Sequence, residues 1–176
     1  MRFIETGIPG AWLIEPEPMA DERGLFARTF CQREFAARGI DFRVVQASTS
    51  YNEKAGTLRG MHYQEGAAAE DKLLRCTRGA IYDVIVDLRS GSPQRLRWYA
   101  VELSADNRRA LYVPKGLAHG FKTLAPGSEV YYQMSEFYEP GAARGVRWND
   151  KSLAIRWPAG DPILSERDRG YPDIVA

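Results

Sequence analysis

Apolar and polar side chains alternate between Tyr82 and Leu88. Tyr82, Val84, Val86 and Leu88 fall on one side, and Asp83, Ile85 and Asp87 on the other. A period of two is that of a strand, and one side of it is plainly apolar. Arg97–Leu103 reads as a second strand. Ala110–Val113 reads as a third, stopped by Pro114, which has no N–H to give to a ladder. The aromatic-rich stretch Glu129–Tyr138 is a fourth, and Lys72–Cys76 is another short one. In the first two-thirds of the chain only Gln32–Arg38 has a helical pattern, with Gly39 as its stop.

Between these stretches, 16 glycines and 10 prolines punctuate the chain, as turns between many short strands require. There is no repeat, low-complexity tract or linker. The pattern predicts a mainly β protein with few short helices, folded as one β-sandwich or barrel domain over residues 1–176. Edge strands in such folds need a cover. The strand-like N-terminal segment is expected to find one in a partner subunit, which makes a homodimer.

Composition narrows the partners. The 176 residues are 44% hydrophobic and 27% charged, and 24 Lys+Arg against 23 Asp+Glu leave a net charge of +1. That is enough chain for one sizeable core. It gives no broad basic field for nucleic acid, so an anionic ligand has to be held by a local cluster of Arg and Lys. The opening MRFIETGIPGAWLIEPEP has no apolar leader region, and no apolar run approaches the roughly 18 residues of a membrane span. Cys31 and Cys76 fit no metal spacing and are expected to be reduced thiols in a cytoplasmic protein.

Few residues can carry chemistry. The chain has two histidines, His62 in Gly56–Gln64 and His119 in Pro114–Phe121. A solvated or structural role is the ordinary one for a lone histidine. Imidazole nonetheless titrates near neutral pH, so it is the readiest proton shuttle. Two histidines joined by a carboxylate would make a metal site, but no His-x-His pair is present. Lys72 at a strand end is either a surface lysine or a cation for a developing oxyanion. Tyr131 and Tyr132 must face opposite sides of one strand, and periodicity does not choose between them. Ile163–Asp168 is either a solvated charge run or the source of a carboxylate that orients His62.

Taken in order, these segments resemble the dTDP-4-dehydrorhamnose 3,5-epimerase family. The resemblance rests on Asp21–Phe26, Leu58–Gln64, Lys72–Cys76, Gly79–Pro93, Leu117–Phe121, Arg147–Asp150 and Ile163–Asp168, spread over nearly the whole chain. It implies a double-stranded β-helix (cupin jelly-roll) fold, a homodimer, a nucleoside-diphosphate 4-keto-6-deoxy sugar as substrate, and neither metal nor redox cofactor. It implies His62 as the base, Asp168 as its partner, Tyr132 rather than Tyr131 as the proton donor, and Lys72 beside the C4 oxygen. By the same resemblance Arg23, Phe26, Gln46, Arg59, His119 and Tyr138 line the substrate site.

The chemistry suits those residue types. A C4 ketone acidifies the protons on C3 and C5. A base on one face then gives an enolate, and an acid on the other face returns a proton with inversion. Three differences depart from the family pattern: Arg28 stands where a glutamate is usual, Ala47–Ser48 replace an Asp-Asn pair after Gln46, and Arg144 falls near an expected glutamate. All three are expected near the nucleotide, so the nucleotide stays open, as does inversion at C3, C5 or both. A 3,4-ketoisomerase, a non-catalytic cupin and a metal-dependent cupin are the rival readings. One local conflict remains. Strict alternation puts Arg59 and His62 on opposite faces, and a bulge at Gly60 or a strand end is expected to bring both to one pocket.

Overall fold

The computed structural model describes residues 1–174. In chain order its elements are β1 (Arg2–Glu5), β2 (Trp12–Glu15), β3 (Met19–Asp21), β4 (Gly24–Phe26), α1 (Gln32–Ala36), β5 (Gln46–Asn52), β6 (Leu58–Gln64), β7 (Lys72–Arg78), β8 (Ala80–Asp87), β9 (Trp98–Ser104), β10 (Ala110–Val113), β11 (Leu117–Thr123), β12 (Ser128–Met134), β13 (Ala143–Gly145) and α2 (Glu166–Arg169). A six-stranded sheet runs β1-β2-β10-β7-β12-β5 and a five-stranded sheet runs β13-β6-β11-β8-β9. The two form a cupin jelly roll. The β3–β4 hairpin pairs only with itself and belongs to neither sheet.

The space between the sheets is filled from both. Leu13, Leu74, Leu111, Val113 and Val130 come from one sheet, and Ile81, Ile85, Leu103 and Phe121 from the other. Each sheet is also covered outside. Phe35 of α1 and the following Ile40 and Phe42 pack on Ile14, Leu73, Ala110 and Tyr112. On the far side Val146, Leu153 and Trp157 of the C-terminal segment cover Met61, Val84, Val86 and Ala118. Each such side chain taken fully out of water contributes about 1.5–3 kcal/mol.

The double cover is plainest at β8. Tyr82, Val84 and Val86, on the apolar side of the alternation, lie under the C-terminal segment. Ile81 and Ile85 face the space between the sheets. A central strand buried on both faces carries apolar residues on both, so alternation alone does not say which side is inside. Two boundaries also move. The fourth predicted strand ends at Met134, where Ser135 turns away on hydrogen bonds with Asp71. The helix ends at Ala36, and Gly39 (φ +72°) follows its last turn. The N-terminal β1 pairs with β2 of its own sheet and leaves its outer edge open.

Candidate active site

The site begins with the bulge in β6. Against β11, His62 pairs with His119 and Arg59 with Phe121, so three steps on β6 match two on β11. Gly60 takes φ +141°, which side-chain-bearing residues rarely adopt. The backbones also touch there: a Cβ on Gly60 would stand 2.6 Å from the Gly120 Cα, and one on Gly120 would stand 2.8 Å from the Arg59 carbonyl oxygen. The expected bulge is therefore present. Met61 joins the outer cluster, whereas His62 turns to the cavity between the sheets.

That cavity has a volume of about 470 Å³. His62 of β6 and Tyr132 of β12 line it from opposite sheets, with Lys72, Gln46 and Tyr138 at the same opening. Behind His62 stands Asp168 of α2. Its Oδ1 is 2.6 Å from the imidazole Nε2, and its side chain is 6% exposed against 38% for the histidine. Burial disfavours the Asp168 charge. The hydrogen bond and charge of His62, the Ser165 hydroxyl and the Gly60 N–H outweigh burial and hold its pKa below the usual value of 3.8. Ser165 caps α2 by accepting from the Asp168 N–H at 3.1 Å, which fixes the carboxylate in place. An ionised Asp168 can only accept, so the proton sits on Nε2 and Nδ1 is left as the basic nitrogen. The Tyr171 ring meets the imidazole edge to face at 5.6 Å.

The opposite wall is more buried. Burial first, and the nearby Asp83 charge second, raise the Tyr132 phenol well above its ordinary pKa of 10, while Arg59 pulls the other way. Such a phenol stays protonated and can donate. The His119 ring lies edge-on to Tyr132 at 5.9 Å, and its Nε2 is 2.8 Å from Oδ2 of the fully buried Asp83. Lys72 makes a mostly buried ion pair with Glu70 at 2.9 Å. Glu70 in turn accepts from Gln64 at 2.7 Å. This wall offers a cation and a neutral acid to one ligand.

The other candidates are less gathered. Arg59 donates to Asn52 at 2.7 Å and its side chain is exposed. Gln46 accepts from the Tyr138 N–H at 3.2 Å, which brings both to the rim. Arg23 and Phe26 sit on the β3–β4 hairpin and line a separate recess, so one chain alone does not bring them to His62. Of the departing residues, Ser48 and Arg144 line the cavity, and Arg28 pairs with Glu34 elsewhere. Sequence reasoning missed Asp83, Glu70, Tyr171 and Arg167. Asp83 passed as one polar residue of an alternating strand. The only mark of Tyr171 was Gly145, where any Cβ would collide with its ring. Among the described residues no three His, Cys, Asp or Glu side chains converge as metal ligands would.

A jelly roll that sets an imidazole and a phenol on opposite sides of one cavity, with a lysine beside them, has the layout of a cupin isomerase. Residues 5–175 match the family model described as dTDP-4-dehydrorhamnose 3,5-epimerase. The chain belongs to that family and is a carbohydrate epimerase. The dTDP-4-dehydrorhamnose 3,5-epimerase of Shigella flexneri is 43% identical over 169 residues, covering 96% of this chain and 93% of that one. The Bacillus anthracis enzyme, solved with TDP and PPi bound, superposes with a TM-score of 0.95 at 46% identity, covering 98% and 99% of the two chains. The Legionella pneumophila enzyme, solved with dTDP-4-keto-L-rhamnose, gives a TM-score of 0.92 at 36% identity, covering 98% and 92%.

Proposed function

We propose that the protein inverts the carbons flanking the C4 ketone, C5 and C3, of a dTDP-linked 4-keto-6-deoxy sugar. His62 Nδ1 takes the proton from one face of the ring. The C–H bond electrons move into the C4 carbonyl and leave an enolate. Lys72 stabilises the enolate oxygen in a site shielded from water. Tyr132 gives its proton to the other face and becomes a phenolate, and solvent carries the proton from His62 back to Tyr132. Asp168 holds the imidazole tautomer and stabilises the imidazolium that forms. The observation that carries this reading is the pairing across one cavity of His62, backed by Asp168 at 2.6 Å, with Tyr132.

Arg59, Gln46, His119 and Tyr138 hold the nucleotide sugar, with Arg59 on the diphosphate. Arg23 and Phe26 act in the site of a second subunit. The hairpin that bears them exposes Met19 and Phe26, each at 67%, and Leu25. Apolar side chains so grouped fit a partner surface. The functional unit is then a homodimer. Cys31 and Cys76 are unpaired, which fits a reducing cytoplasm.

The test is NMR of dTDP-4-keto-6-deoxyglucose with the enzyme in heavy water. Deuterium at C5 and C3, with the ketone still at C4, is the expected result. A ketone moved to C3 identifies a ketoisomerase instead. No exchange with the dTDP, UDP, GDP or CDP sugar removes the epimerase reading.

A further inference from the structure

Both histidines of the chain are backed by a buried aspartate. The first pair, His62 with Asp168, faces the cavity. The second, His119 with Asp83, stands behind the opposite wall, and the mechanism above does not use its carboxylate.

Asp83 lies on β8 with its side chain turned between the sheets, and it is fully buried. Oδ2 is 2.8 Å from His119 Nε2, and Oδ1 has no hydrogen-bond partner among the described residues. A buried carboxylate oxygen with no protein partner is costly and calls for an explanation. The groups around it come from three other strands: Lys72 from β7, His119 from β11 and Tyr132 from β12, with Arg59 of β6 and the Cys76 thiol of β7 also acting on the phenol. An apolar residue of similar size would fill the space at no electrostatic cost. The position instead holds a carboxyl group whose one hydrogen-bond partner among the described residues is the histidine that packs on Tyr132.

We propose that Asp83 is the positioning residue of the proton-donating wall: it fixes the His119 ring against Tyr132, and its carboxylate keeps that phenol in the O–H form between turnovers. In this arrangement the proton of the pair sits on His119 Nε2. Burial pushes the Asp83 carboxyl up, and the charges of His119 and Lys72 pull it back toward the ionised form. The same negative charge makes the Tyr132 phenolate short-lived, so the phenol regains its proton from solvent before the next turnover. Asp83 touches no substrate and acts through its neighbours.

The inference rests on the epimerase reading for its kinetic consequence, but its electrostatic part can be measured without substrate. With tyrosine labelled by ¹³C at Cζ, the Tyr132 signal is assigned by its loss in Tyr132→Phe. In Asp83→Asn the phenol should titrate at least about one pH unit lower than in wild type. An unchanged titration overturns the proposal. Should the variant fail to fold, ¹⁵N spectra of wild type decide. With only two histidines to assign, His119 should carry its proton on Nε2, and a bare Nε2 overturns the proposal. In heavy water with the keto sugar, Asp83→Asn should lower inversion by about 10–100-fold. Exchange into recovered, uninverted substrate should change by less than about threefold, because His62 still removes the proton. Equal loss of exchange and inversion denotes a merely structural role and overturns it. Absence of exchange in wild type would sink the epimerase reading, and the two spectra would still judge Asp83.

Discussion

The two walls of the cavity both use a histidine and an aspartate, yet they are built in opposite ways. On the β6 wall the imidazole is 38% exposed and its aspartate sits on the short helix α2, outside the sheets. On the facing wall the histidine is 5% exposed, and its aspartate lies on a central strand with no exposure at all. A base must meet both its substrate and the solvent that resets it. An acid must keep its proton, which burial beside a negative charge ensures. On the proposed mechanism the same pair of residue types serves two ends, and depth in the barrel decides which.

The comparison breaks most sharply at the proposed base and acid. His62→Ala should lower kcat by about 10³–10⁴-fold and abolish deuterium exchange as well as inversion, read by NMR. Tyr132→Phe should lower inversion by about 10²–10³-fold while exchange into unreacted sugar persists. If both variants lost exchange equally, the walls would not have separate roles. Wild-type inversion should also show no alkaline loss from Tyr132 at pH 10, since that phenol titrates well above 10.

Asp168→Asn comes next, with an expected loss of about 10²-fold or more in kcat, because an amide no longer fixes the imidazole tautomer. It also tests linkage. The folded pKa of Asp168 lies below 3.8, so its contribution to stability is complete above that value and fades as pH falls through the lower folded value. Denaturant melts should therefore show the largest gap between wild type and variant near neutrality, and a narrowing gap in strong acid.

Gly120→Ala addresses the bulge rather than the chemistry. Its Cβ would stand 2.7 Å from the Met61 sulfur and 2.8 Å from the Arg59 carbonyl oxygen. Relief requires β6 to shift, at about 1–3 kcal/mol. Thermal unfolding should fall by about 2–4 °C for each kcal/mol. Activity should fall with it, since the same backbone aims His62. The smallest effect belongs to Arg144→Ala at the rim. Its ion pair with Glu65 at 2.6 Å is exposed on both sides and contributes little to stability. A rise in KM of about 3–10-fold with kcat unchanged is expected, and a fall in kcat would put Arg144 closer to the reacting carbons.

Much of the fold was legible because strands announce themselves by period and prolines by position. Ala110–Val113 ended at Pro114 as read. The cover over Tyr82, Val84 and Val86 was not legible, because both faces of β8 are covered and hydrophobicity does not name its cover. His62, Lys72, Tyr132 and Asp168 could be named from the family pattern, and the conflict between Arg59 and His62 exposed the bulge in advance. Asp83 could not be found so, because a polar residue at every second position is what an ordinary half-solvated strand also shows.

By itself the chain determined its element types, its family and the short set of residues able to move protons, since these follow from local period, turn chemistry and side-chain identity. Only the tertiary structure decided which aspartate backs which histidine: Asp168 lies 106 positions from His62, and Asp83 lies 36 from His119. Only the packed barrel decided which pair reaches water and which does not. Burial and the charge across a strand belong to no single segment, and they are what divide one histidine–aspartate pair from the other.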